Sequence, residues 1–159
     1  MCDGQFHAKI LQVKSHRDEF DKLFEQEILV ESQKGEIFWI FDVCLLCNKK
    51  MEGKASKLEF DVWSIPAHKN LSKLHTAVKK IVSPQELCVH NVPNYSAVFY
   101  GEIIGKDKNK WNKQFSVDVG SGVIKTLVDD VEYNEYSVGD YIKIVGNIVQ
   151  LSSINGKVI

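Results

Sequence analysis

The sequence predicts a mainly β protein, α+β overall. Residues 94–159 read as a small closed Greek-key barrel of five strands, and residues 1–93 as an α+β extension or a second, divergent barrel-like unit. Three observations carry this. After Asn94 the apolar residues alternate with polar ones, the period of a half-buried strand, and no helical stripe intervenes. Gly101 and Gly105 fall inside the first of these strands, where glycine lets a barrel strand bend at a corner. Gly120-Ser121-Gly122 supplies a tight turn between two alternating runs, since glycine reaches positive φ at little cost.

In chain order, Phe6 to Val13 reads as a short strand. Ser15 and Asp18 resemble a capping box, and Phe20, Leu23, Phe24 and Ile28 then recur at helical spacing, so an amphipathic helix is expected over 16–29. Gln33 to Glu36 is a turn, and Ile37 to Cys47, rich in β-branched and aromatic residues, is a buried strand. Asn48 to Lys57 is a polar hairpin loop, and Leu58 to Val62 alternates as a strand that Pro66 ends. Leu71, Leu74, Val78, Ile81 and Val82 predict a second helix, stopped near Pro84. Val92-Pro93-Asn94 is the internal boundary. Beyond it lie a strand over 97–106, a polar loop to Lys113, a hairpin over 114–128 and an acidic loop over 129–137. One long strand over 141–151 and a last short strand over 157–159 after Asn155-Gly156 complete the pattern. Phe115, Val117, Val119, Ile142 and Ile144 are the expected barrel core, and no internal repeat stands out.

Three stretches carry a family resemblance: Gly101-Glu102-Ile103-Ile104-Gly105, then Phe115 to Ile124 around Asp118-Val119-Gly120-Ser121-Gly122, then Val138-Gly139-Asp140-Tyr141-Ile142-Lys143-Ile144-Val145-Gly146. In this order and spacing they resemble the OB folds that bind single-stranded DNA, in the pattern of the middle subunit of replication protein A and its counterpart in the telomeric CST complex. The resemblance covers about 65 residues. It implies an OB-fold barrel, a place in a multi-protein single-stranded-DNA complex, and other OB-fold subunits as partners. It implies the nucleus as the location, or the cytoplasm in a prokaryote. The family's helix between the third and fourth strands is replaced here, on this reading, by the acidic loop 129–137.

Composition narrows the function classes. Hydrophobic residues at 44% and charged residues at 26% suit a globular chain and exclude disorder. The start of the chain has no signal-peptide pattern, and the longest apolar run, Ile37 to Cys47, is broken by Asp42 and too short to span a bilayer. An intracellular, non-membrane protein with reduced cysteines is therefore expected. Net charge is −1 and neither half is basic, which argues against strong non-specific binding of nucleic acid. No P-loop, G-x-S-x-G or dinucleotide fingerprint is present and no carboxylate pair is marked by spacing, so no enzymatic role and no cofactor are expected.

The candidate site is the loop between the first two barrel strands. Lys106, Lys108, Lys110 and Lys113 surround Trp111, the ingredients of a single-strand site: charge for phosphate and a flat ring for a base. Lys143, in the third signature stretch, is a further candidate cation. The competing reading folds Trp111 back on the barrel. The outward residues of the next strand, Gln114, Ser116 and Asp118, offer no stacking platform. Weak direct binding and a main role in protein assembly follow as the expectation, with an independent single-stranded DNA or RNA binder as the alternative. The helical stripes are expected to be core, with docking of a partner as their second reading. Cys44 and Cys47 have metal-type spacing, and Cys88 and His90 could complete four ligands of a zinc protein. On a strand, however, Cys44 and Cys47 face opposite sides, so no metal is expected.

Overall fold

The computed structural model describes residues 5–63, 71–83 and 96–158. The strands of the first repeat are β1 (Phe6–Arg17), β2 (Leu23–Ser32), β3 (Ile37–Asp42), β4 (Ala55–Trp63), β5 (Leu71–Lys73) and β6 (Lys80–Val82). The second repeat holds β7 (Ala97–Lys108), β8 (Lys113–Asp118), β9 (Val123–Val128), helix α1 (Asp130–Glu135), β10 (Tyr141–Gly146), β11 (Ile148–Ile154) and β12 (Lys157–Val158). The protein is mainly β, and its architecture is that of an OB-like closed five-stranded barrel with extra strands. Among the described residues no helix is long and apolar enough to cross a membrane.

Strand pairing shows how the chain is divided. β1 pairs with β2 and β4, β2 with β3, and β11 joins β3 in parallel and β4 antiparallel. This closes a barrel whose fifth strand comes from the far end of the sequence. In the second repeat β7 pairs with β8 and β10, and β8 with β9. Its remaining flanks are taken by the first repeat: the end of β4 lies parallel to β9 through Asp61 and Val62, and β5 lies antiparallel to β10. The two repeats thus exchange the segments that follow their fourth strands. They cross where Ile148 pairs with Trp63 and Val149 with Val62.

The repeat is also visible residue by residue. β1 begins Phe6-x-Ala8-x-Ile10 and β7 contains Phe99-x-Gly101-x-Ile103. Ile10 pairs with Val30, which pairs with Phe38; Ile103 pairs with Val117, which pairs with Ile124. Each strand bulges just after its isoleucine. The inward residues form one core in which Phe6, Phe38, Phe60 and Phe99 meet edge-on or tilted, with ring centroids 5.2–6.3 Å apart. Phe115, Val117, Val119, Ile142 and Ile144 are all fully buried, as alternation required.

Several elements differ from the sequence reading. Residues 16–29 are not a helix. Ser15 donates to Gln26 across a hairpin, Asp18 caps the tip, and an irregularity at Phe24 shifts the register. Residues on both sides of that shift mimic a 3.6-residue period. The expected helix over 71–82 is replaced by β5 and β6, which bury Leu71 and Ile81 on separate short strands. The acidic stretch holds α1, started by a reciprocal capping box between Asp129 and Glu132, so the helix between third and fourth strands is present. The long strand expected over 141–151 breaks at Asn147, where the chain leaves one barrel for the other.

β3 ends at Asp42, so Cys44 and Cys47 stand on a turn rather than a strand. The buried Asp42 carboxylate accepts the backbone N–H groups of Leu46 and Cys47 and the Gln26 amide at 2.7–2.9 Å. That ties down a turn in which Leu45 takes a positive φ of 56°. Among the described residues no group of three or more His, Cys, Asp or Glu could hold a metal. Cys88 and His90 lie outside the described residues, as does the Val92-Pro93-Asn94 junction.

One ionisable group sits where the repeats meet. Burial pushes the Asp61 carboxyl above its usual range; nearby Lys125 offsets this in part and Glu59 adds to it. A raised folded-state value means the ionised form is disfavoured on folding, so stability is lost as pH rises through the carboxylate range. Asp61→Asn is expected to raise the melting temperature at pH 7 by roughly 1–3 °C. The difference should vanish near pH 3, where the wild-type group is protonated too. A thermal melt series across pH checks both halves of this.

Candidate nucleic-acid interface

The β7–β8 hairpin is closed by one side chain. Asn109 Oδ1 accepts the backbone N–H of Trp111 at 2.8 Å and of Asn112 at 2.7 Å, the local bond that makes asparagine a turn former. The capped turn presents the indole outward: Trp111 is 80% exposed, so it does not fold back on the barrel. Lys110 Nζ stands 5.0 Å from the indole centroid. Beside the ring is an open cleft of about 270 Å³, lined by Asn109, Lys110, Lys113, Leu127, Val128 and Asp130 together with Trp111 itself.

The four hairpin lysines divide into two pairs. Lys106 donates to the Tyr136 carbonyl at 2.8 Å and lies 4.4 Å from the Tyr133 ring centroid. Lys113 is ion-paired with Asp130, and its hydrogen bond holds that carboxyl below the usual range. Helix α1 therefore anchors these two, with Tyr133 stacked on Phe115 beneath them. Lys108 and Lys110 stand at the exposed end and, among the described residues, join no ion pair. Lys143 is elsewhere. It pairs in register with Tyr100, whose ring it shares with Lys80, at 5.9 and 4.9 Å. Tyr100 lies eight residues back along β7 from Lys108, roughly 26 Å at strand rise. The structure thus brings together Lys106, Lys108, Lys110, Trp111 and Lys113 and leaves Lys143 apart.

At the end of the β7–β8 pairing away from this tip, where Glu102 pairs with Asp118, the outer face of the second barrel is polar. Lys79 bridges Asp118 at 2.9 Å and Glu102 at 3.5 Å. Burial raises the Asp118 carboxyl, but the Lys79 hydrogen bond and the Gly120 N–H pull it lower on balance. The Asp118 hydrogen bond in turn raises the Lys79 ammonium above its usual range.

A second tip escapes the sequence reading. In the β1–β2 hairpin, Asp18 Oδ1 accepts the N–H groups of Phe20 and Lys22, both at 2.9 Å. Phe20 is 74% exposed and Phe24 53%. Asp18-Glu19-Phe20-Asp21-Lys22 and Asn109-Lys110-Trp111-Asn112-Lys113 share the capping side chain, the aromatic two residues on and the lysine four residues on. That matching spacing is the signal in the sequence; the helical pattern over 16–29 masks it.

No family model matches the sequence, and no curated protein matches it. Among solved structures the chain is similar to the cytoplasmic molybdate-binding protein ModG in a form with molybdate bound. The TM-score is 0.48 and the identity 10%, over 94% of this chain and 95% of that one.

Proposed function

We propose that this chain is a non-enzymatic OB-fold module of a single-stranded-DNA complex, of the replication-protein-A or telomere-capping kind. It works mainly in assembly with other subunits and touches single strands weakly through the β7–β8 hairpin. The observation that carries the reading is Trp111, presented to solvent on a capped turn beside Lys108 and Lys110, which join no ion pair among the described residues. An exposed indole offers a base a stacking surface worth roughly 1–3 kcal/mol, and the two lysines offer phosphate neutralisation. With two of the four hairpin lysines, Lys106 and Lys113, held against α1, the electrostatic part is small. Exposed Phe20, Phe24, Val131 and Val138 favour protein contact as the larger role.

The test is fluorescence anisotropy with a labelled single strand at several salt concentrations. Trp111→Ala should weaken binding about 5- to 100-fold with an unchanged salt slope. Lys108→Ala with Lys110→Ala should flatten that slope by up to about 2, one for each phosphate no longer neutralised. Triple-variant binding equal to wild type removes the hairpin as the site. No binding by wild type at low salt removes direct binding and leaves the assembly role alone.

A further inference from the structure

We propose that the acidic β1–β2 hairpin of one copy docks against the basic β7–β8 hairpin of a second copy, giving head-to-tail self-association. The β1–β2 hairpin, residues 6–32, holds six carboxylates against three lysines and Arg17, which is ion-paired with Asp21, whereas residues 106–113 hold four lysines and one aspartate, with Lys106 and Lys113 held against α1. Both tips are capped by a short polar side chain, Asp18 accepting the N–H groups two and four residues on and Asn109 those two and three residues on, and the two tips carry opposite charge. Among the described residues no ion pair joins them within one chain.

Each tip also has what the other lacks. The acidic tip projects Phe20 and Phe24, both more than half exposed. The basic tip adjoins the 270 Å³ cleft with Leu127 and Val128 in its wall and Trp111 at its edge. Further along β2, the Glu27 side chain is only 9% exposed, and its Oε2 accepts no hydrogen bond; His16 Nε2 is 3.6 Å away. Glu27 shares the outer face with Glu25 and Glu31, since residues two apart on a strand point the same way. Because the two surfaces differ, the contact closes only where both tips of each copy engage at once, and otherwise propagates. A hairpin tip buries far less than a standard interface, so the association is weak and concentration-dependent.

The proposal shares the β7–β8 hairpin with the functional reading but does not need that hairpin to bind DNA, and its test contains no nucleic acid. Sedimentation velocity on the full chain at low salt should show a weight-average coefficient that rises with protein concentration. In about 1 M salt, where screening acts within about 3 Å, the rise should be lost. Glu19→Lys and Lys110→Glu, each alone, should abolish it, because each puts like charges together. Mixing the two variants should restore it, since each then meets a complementary tip. Phe20→Ser should weaken association at least 10-fold. A wild-type protein that stays monomeric at low salt up to millimolar concentration overturns the proposal. So does association that survives both charge reversals, or a mixture that fails to recover.

Discussion

Residues 1–93 and residues 94–159, expressed separately, should each fail to reach a cooperative fold, and mixing them should restore it. The reason is the exchanged segments. Without β11 the first barrel loses the strand between β3 and β4, along with the inward Val149, Leu151 and Ile154, all buried. Each such side chain contributes roughly 1.5–3 kcal/mol on burial, so losing three removes about 5–9 kcal/mol. That is comparable to the roughly 5–15 kcal/mol by which a whole domain is stable. The second barrel alone loses β5 beside β10, β6 beside β7 and the end of β4 beside β9. It also exposes the freed strand edges to aggregation. Circular dichroism and thermal melts of each fragment, then of the mixture, measure this. Cooperative melting of residues 94–159 alone would show that the exchanged strands are dispensable.

Gly101→Ala should be severely destabilising, while Gly105→Ala should be nearly neutral, although both glycines lie on the same strand. A Cβ on Gly101 would come within 2.3 Å of the Asp118 carbonyl oxygen and 2.9 Å of a Val117 methyl. The first is backbone of the paired β8 strand, so relief requires the two strands to separate. Overpacking of this kind costs about 1–3 kcal/mol where side chains can give way, and more where they cannot. We expect a destabilisation of at least about 3 kcal/mol, read as the shift in urea midpoint. A Cβ on Gly105 meets only the Ser116 side chain at 3.5 Å, an ordinary contact. Equal costs at the two positions would mean that strand propensity alone, not the close approach of β7 to β8, sets the need for glycine.

The second repeat is largely legible in the sequence because Gln114 to Val119 alternates apolar with polar and the turn after it carries Gly120 and Gly122. In the first repeat the stretch 16–29 is obscured by one irregularity. The register shift at Phe24 moves the alternation by one, so Phe20, Leu23, Phe24 and Ile28 imitate a helical stripe. A similar accident makes Leu71 to Val82 look helical, where two short strands each bury one residue. The α1 signal is present: Asp129 and Glu132 have capping-box spacing, but so short a stretch reads as acidic loop. Strand exchange is not legible at all. Alternation says that Ile148 to Ile154 is a strand with an inward face; it does not say which barrel that face completes. At the candidate site the sequence points to the lysines and Trp111, but not to the hold that α1 has on Lys106 and Lys113. Nor does it place Lys143 on the Tyr100 surface.

The most direct test of the functional account isolates the indole itself. A variant with Trp39→Phe and Trp63→Phe leaves Trp111 as the sole tryptophan of the three in the chain. Titrated with oligo-thymidylate at low salt, its emission should be quenched as bases stack on the ring, in step with the anisotropy of a labelled strand. At high salt the quenching should fade as the phosphate contacts weaken. Emission that stays constant while the strand binds, or no binding at all at low salt, would contradict the claim that this hairpin is the single-strand contact.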